Sequence, residues 1–176
     1  MEDIDPEYLQ DHPRYESHRA TAAEFATRPG ATDLVDEAFL DDAVRRGDWC
    51  HYMTDEDTVV TYGWYSSAAV PVGPDATIEH SGAYAYMYNG FTPPEFRGQH
   101  LHGYCMGQGL KEAIQRGYSG LISYVEAQNA PSIKSVRRLG YRPFGTAVRL
   151  NPFGRAFTLN SRGCRNYDFR LTIVQS

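Results

Sequence analysis

The sequence predicts a mixed α/β domain built on one strongly curved central sheet flanked by helices, and three observations predict it. Helix-like and strand-like apolar periods alternate from residue 32 onward. Turn formers punctuate the changes of period, with 16 glycines and 10 prolines among 176 residues. The composition, 41% hydrophobic and 22% charged, supplies one core of this size and little for a second. The expectation is a single domain over residues 1–176, with residues 1–31 an N-terminal extension.

The extension is acidic and interrupted by Pro6, Pro13 and Pro29, so at most short helical pieces fit there. Thr32 or Asp33 is placed to cap a helix carrying Leu34, Val35, Ala38, Phe39, Ala43 and Val44, which ends near Gly47. Residues 49–53 and 59–65 are rich in aromatic and β-branched side chains and read as a hairpin. Residues 67–82, with Pro71, Gly73 and Pro74, read as a long loop beside a ligand site. In residues 82–91, Tyr84, Tyr86 and Tyr88 alternate with Ala83, Ala85 and Met87, the period of a strand. A helix from 101 to 116 follows, carried by Leu101, Cys105, Met106, Leu110, Ala113 and Ile114 and stopped by Gly117. Gly103, Gly107 and Gly109 each weaken it by about 1 kcal/mol relative to alanine, so close packing must compensate. Residues 121–125 read as a strand and 131–139 as a short helix ended by Gly140. The tail alternates well enough for two or three more strands.

Charge is unevenly placed. Residues 1–60 hold 16 of the 22 acids and 5 of the 17 bases; the rest of the chain carries the remaining bases. The second part would draw a polyanionic ligand, and the first would tolerate a cationic one. Nucleic acid is not expected, because no run or helix face of bases tracks a phosphate backbone. No apolar stretch is long enough for a membrane span and the start lacks a signal-peptide pattern, so the expectation is a cytoplasmic protein without membrane contact. Cys50, Cys105 and Cys164 lack disulfide or zinc spacing and read as reduced, buried thiols.

Chemistry concentrates in two segments. Thr92-Pro93-Pro94-Glu95-Phe96-Arg97-Gly98-Gln99-His100-Leu101-His102-Gly103 joins a strand end to a helix start. Such a turn offers free main-chain N–H groups and the positive end of a helix dipole, the means of holding a phosphate or diphosphate. Downstream stand Val125-Glu126-Ala127-Gln128-Asn129-Ala130-Pro131-Ser132, then Lys134, Arg137, Arg138 and Leu139-Gly140-Tyr141.

Together these segments resemble the GNAT superfamily of N-acyltransferases. Arg97 to His102 is similar to its diphosphate loop, Arg/Gln-x-x-Gly-x-Gly/Ala, after the approach Pro94-Glu95-Phe96. Asn129, Ser132 and Leu139-Gly140-Tyr141 are similar to its downstream pattern. The likeness covers residues 49 to 150, and the first 30 residues show no counterpart of the family's opening strand. It implies a pair of parallel strands that splay apart around acetyl-CoA or another acyl-CoA, with no metal. By carry-over, Phe91 and Thr92 bind the pantetheine arm. Arg97, Gly98, Gln99, His100, Leu101, His102 and Gly103 wrap the diphosphate, and Asn129 and Ser132 lie near the thiol end. Lys134, Arg137 and Arg138 are placed to meet the remote phosphate.

Two features depart from the pattern. His100 and His102 stand where the family prefers Gly and Gly or Ala, and they make no metal site for want of a third ligand. Val136 stands where many relatives carry an acidic tyrosine. No carboxylate lies in residues 82–91; Glu79 and His80 precede them. Glu126 and Tyr124, two apart on a strand facing the cleft, with His80, are the catalytic candidates, and Tyr84, Tyr86 and Tyr88 are further substitutes. The resemblance implies direct acyl transfer to a primary amine of a small molecule. Alternatives are a long-chain acyltransferase using acyl-CoA or an acyl-carrier protein, its channel shaped by the three helix glycines, and a non-catalytic acyl-CoA sensor. Monomer and homodimer both remain open.

Overall fold

The computed structural model describes residues 4–152 and 155–174. A five-stranded sheet in the order β1-β2-β3-β6-β7 organises it. Its strands are β1 (Glu16–Thr21), β2 (Trp49–Asp55), β3 (Thr58–Ser66), β6 (Ala85–Phe91) and β7 (Leu121–Ser123). All neighbours run antiparallel except β6 and β7. The mixed α/β class with a central sheet flanked by helices is as the sequence predicts.

The N-terminal extension departs from expectation. Residues 16–21 form an edge strand in register with β2, from Glu16 opposite Thr54 to Thr21 opposite Trp49. Its residues are polar because only Ala20 is buried. An edge strand with one residue in the core carries almost no alternation to read. Thr21 then closes a capping box with Glu24 to start α1 (Ala22–Ala26). The single helix expected over 32–47 is two, α2 (Ala31–Leu34) and α3 (Glu37–Arg46), because Asp36 caps a fresh start by accepting from the Phe39 amide.

Helix α4 (Leu101–Gln115) packs on one face of the sheet, where Trp49, Met53, Tyr65, Met87, Leu101 and Met106 form a core. Helices α1 to α3 cover the other with Phe25, Leu40, Ala43, Tyr62 and Trp64. Strand β3 is buried at every position after Thr58, as a central strand covered on both faces must be. The α4 glycines are explained by contact. A Cβ on Gly107 would lie 1.8 Å from the Tyr8 carbonyl oxygen, one on Gly103 2.7 Å from the Tyr8 ring, and one on Gly109 2.1 Å from the Tyr65 hydroxyl. The glycines therefore open no acyl channel; two tyrosines fill the space.

The expected loop 67–82 contains β4 (Val70–Pro71) and β5 (Ala76–Glu79), which pair with each other, and β5 also pairs with β10 (Arg170–Ile173). After α5 (Ala130–Arg138), β8 (Ala147–Leu150) and β9 (Phe157–Asn160) pair only with each other, and the one-turn α6 (Arg162–Arg165) leads into β10. The tail thus builds two small sheets beside the central one. A third apolar cluster, with Ile78, Tyr86, Ile122, Phe169 and Leu171, joins it to the sheet. Cys50, Cys105 and Cys164 are free and buried.

Candidate functional site

The parallel pair β6 and β7 is short. It is in register only from Ala85 opposite Leu121 to Met87 opposite Ser123, and the Ser123 hydroxyl donates to the Met87 carbonyl at 3.0 Å. Beyond Met87, β6 runs on to Phe91 while β7 has ended. On its other edge β6 carries a bulge: Trp64 and Tyr62 of β3 face Tyr88 and Phe91, and Asn89 takes φ 44°. One extra residue bends the strand just where its parallel neighbour stops. Residues 88–91 thus present a main-chain edge with no strand on the β7 side.

The turn after β6 leads to the α4 N-terminus. Arg97 folds back and donates from Nε to the Thr92 carbonyl at 2.9 Å, with its guanidinium 5.8 Å from the Phe91 ring centroid. Thr92 shares a 2.8 Å hydroxyl contact with Thr61, whose hydroxyl also lies 3.0 Å from the Phe91 carbonyl. Gly98 takes φ 83° with open space where a Cβ would stand, and His100 takes φ 60° as the helix N-cap residue without a side-chain cap. Among the described residues, no hydrogen bond takes up the amides of Gly98, Gln99, His100, Leu101 or His102. Five successive unpaired donors at the positive end of a 15-residue helix suit a diphosphate.

The two histidines occupy different environments. His100 is exposed, its ring edge toward Tyr8. His102 turns inward: its ring fills the place a Cβ on Gly90 would need, 2.4 Å from His102 Cε1. Gly90 in the bulge thus makes room for the imidazole that replaces the family's small residue. Burial lowers the His102 pKa to about 4, and Nδ1 is buried with no partner. Among the described residues no His, Cys, Asp and Glu grouping suits a metal.

Downstream, Asn129 accepts from the Ser132 amide at 3.1 Å and so caps α5. Its Oδ1 is thereby committed. Strand β7 ends before Tyr124 and Glu126, so both lie on the connection after the strand rather than on it. Glu126 is exposed and accepts from Gln128 at 3.3 Å. Tyr124 is half-buried, and burial followed by the Glu126 charge raises its phenol pKa. His80 is not brought to this pair. Its Nδ1 lies 3.1 Å from the Ser81 carbonyl and Nε2 3.3 Å from the Ala68 carbonyl, leaving neither nitrogen clear for a substrate.

A buried carboxylate near the tyrosine strand was missed. Asp48 is 1% exposed; its Oδ2 accepts from the Tyr88 hydroxyl at 2.5 Å and from Arg46 at 2.8 Å. Arg46 also donates to Tyr88 at 3.0 Å, and burial with the adjacent Asp48 pushes the Tyr88 phenol far up. Forty residues separate Asp48 from Tyr88, so no local spacing signals the pair.

A cavity of about 560 Å³ lies around the free edge of β7. It is lined by Met106, Leu110, Ile122, Tyr124, Val136 and Phe144 among others, and by no residue from 91 to 103. Ser123, Tyr124 and Val125, at the end of β7, are among its lining residues.

No protein-family model matches the chain. Over 63 residues it is 33% identical to mycothiol acetyltransferase of Corynebacterium aurimucosum, a match covering 36% of this chain and 21% of that protein. The matched segment thus spans about a fifth of that curated relative. Among solved structures, the aminoglycoside N-acetyltransferase AAC(6')-Iy, in complex with a CoA-containing bisubstrate analogue, superposes with a TM-score of 0.58 at 15% identity, covering 76% of this chain and 92% of that one. A GCN5-related N-acetyltransferase-like protein from Streptococcus suis gives 0.52 at 16% identity, covering 78% and 52%. An aminoglycoside acetyltransferase from an uncultured soil sample, bound to sisomicin, gives 0.53 at 9% identity, covering 70% and 86%. The chain therefore has the fold of the GNAT N-acetyltransferases. The opening strand the sequence did not reveal is present as β1, and the parallel pair beside the free amides stands where the resemblance implies.

Proposed function

We propose that the chain is an N-acyltransferase that moves an acetyl or other acyl group from acyl-CoA directly to a primary amine of a small molecule. The observation that carries the reading is the run of free amides at residues 98–102 beside the place where two parallel strands part. Unpaired donors and open space at Gly98 fit a diphosphate, and the bare main-chain edge of residues 88–91 fits an amide-bearing arm. Acyl-CoA supplies the activated acyl group as a thioester. In this reading the amides of residues 98–102 bind the diphosphate, Phe91 and Thr92 orient the arm, and Asn129 Nδ2 with Ser132 flanks its far end.

Transfer joins the amine nitrogen to the acyl carbon and breaks the carbon–sulfur bond, while one proton leaves the amine and one reaches the departing thiolate. Tyr124 is assigned as the donor, since a phenol is protonated at neutral pH and this one stands two residues before Glu126 at the end of β7. Glu126, two residues on, is assigned as the acceptor of the amine's proton, directly or through water. No protein nucleophile is required. Burial pushes the Cys105 thiol to about 12, which keeps it inert at neutral pH.

The acceptor is a cationic amine, supported by the acidic N-terminal part and by the aminoglycoside acetyltransferases among the proteins that share the fold. The free, buried cysteines accord with a cytoplasmic setting. The apolar cavity that begins at Ser123 to Val125 favours a second reading, a donor with a longer acyl chain.

The test is release of free CoA thiol by purified protein with acetyl-CoA and octanoyl-CoA across a panel of amines. Turnover is expected, with Tyr124→Phe lowering kcat by about 10-fold to 100-fold. A marked preference for octanoyl-CoA selects the second reading. No thiol release from any acyl-CoA overturns the enzyme assignment, and binding without turnover leaves the sensor alternative.

A further inference from the structure

The segment from Ile4 to Tyr15 crosses α4 as a strap, although its sequence is acidic and broken by prolines. Pro6–Leu9 forms a single 3-10 turn that seats Tyr8, 3% exposed, against Gly103 and Gly107. Side chains of α4 then hold the strap along its length. Tyr104 donates to Glu7 at 2.5 Å, Lys111 to the Leu9 carbonyl at 3.2 Å, and Gln108 to the Gln10 carbonyl at 2.9 Å. The His12 ring sits between Tyr104 and Tyr15, with centroids at 4.7 and 4.9 Å.

Two of its tyrosines reach beyond the helix to the turn that carries the free amides. Tyr15, 3% exposed, donates its hydroxyl to Gln99 Oε1 at 2.8 Å, while Gln99 Nε2 reaches the Phe96 carbonyl at 3.5 Å. The Gln99 side chain is thus held from both ends, and among the described residues its main-chain N–H has no partner. Tyr8 contacts His100 Nδ1 at 3.5 Å, and the Arg138 guanidinium of α5 lies beside the same hydroxyl. His100 is a non-glycine residue in the left-handed region, a conformation that costs about 1–2 kcal/mol and persists where neighbours enforce it.

We propose that residues 4–15 are a positioning strap for the diphosphate turn, with Tyr15 fixing Gln99 and Tyr8 bracing His100 so that the amides of residues 98–102 are set before acyl-CoA arrives. Tyr8 and Tyr15 are positioning residues; neither is required to touch the reacting atoms. The proposal rests on the acyl-CoA reading above and adds the source of the turn's order. Linkage makes it reciprocal: if docking of the strap favours the bound state, CoA favours docking of the strap by the same factor.

The test uses the full chain and CoA itself. Calorimetric titration of the wild type, Tyr15→Phe and Tyr8→Phe/Tyr15→Phe is expected to show Kd raised about 3-fold to 10-fold for each lost hydroxyl, the range of single hydrogen bonds. The KM for acetyl-CoA is expected to rise in step while kcat at saturation stays within about twofold, a split that general destabilisation would not give. Hydrogen exchange of the wild type is expected to show amides of residues 5–15 slowed by CoA. Unchanged Kd in the double variant, or no CoA-dependent protection of residues 5–15, overturns the strap while leaving the acyl-CoA reading intact. Absence of CoA binding by the wild type overturns both.

Discussion

At the scale of single residues, the structure is most sensitive where an imidazole nitrogen is buried with no hydrogen-bond partner among the described residues. His51 and His102 both have pKa values lowered to about 4 by burial, against 6.5 in the unfolded chain. A folded-state pKa below the unfolded value means that the native protein binds fewer protons between those limits, so stability is full above pH 6.5 and declines as pH falls toward 4. The slope is about 1.4 kcal/mol per pH unit for each imidazole within the window. Urea unfolding at pH 7.5, 6 and 5 is expected to show that decline, and His102→Gln to remove close to half of it. A flat profile from 7.5 to 5 would mean that neither imidazole is held neutral by burial. Neither burial was legible in the sequence. His51 sits on β2 among aromatics, but His102 is turned inward only because Gly90, on another element, yields the space. The Asp48–Tyr88 contact escaped notice for the same reason, joining a helix–strand junction to a strand across the sheet.

At the scale of elements, α4 shows how local preference and packing oppose each other. Three glycines in a 15-residue helix are unfavourable by propensity, and replacement by alanine gains up to about 1 kcal/mol each where space is free. Gly107 has no such space, because a Cβ would overlap the Tyr8 carbonyl at 1.8 Å. Gly107→Ala is therefore expected to destabilise by about 1–3 kcal/mol, the usual cost of overpacking, despite the better helix former. An increase in the unfolding midpoint would show that the strap does not lie on α4 in solution. The sequence indicated that something close must compensate for these glycines. It did not indicate that Tyr8, in an acidic and proline-broken segment, does so for two of them, since proline and acid patterning report only the lack of long regular structure. The β6 strand and its turn were the most legible elements, because alternation, Pro93-Pro94 and Gly98 all act locally. The early end of β7 was not, since apolar periodicity at residues 121–125 continues past the last residue with a strand partner.

At the scale of the whole molecule, the arrangement follows from one sheet in which, among the described residues, the one parallel pair is also the shortest. The first half of β6 is buried, the bulge bends its far half, and α4 starts beside the resulting gap with its donors unpaired among the described residues. The class was readable from the order of periods and from two motifs. The destination of the C-terminal strands was not, because alternation identifies strands without naming their partners: β8 and β9 pair with each other and β10 with β5. The apolar cavity behind β7 is the physical competitor of the proposed cleft, but it lacks the amide row. A two-dimensional NMR titration of the full chain with CoA separates them. The account predicts the largest shift changes at the amides of residues 98–102 and along residues 88–91. Changes confined to residues lining the cavity behind β7, with 98–102 unmoved at saturating CoA, would contradict it.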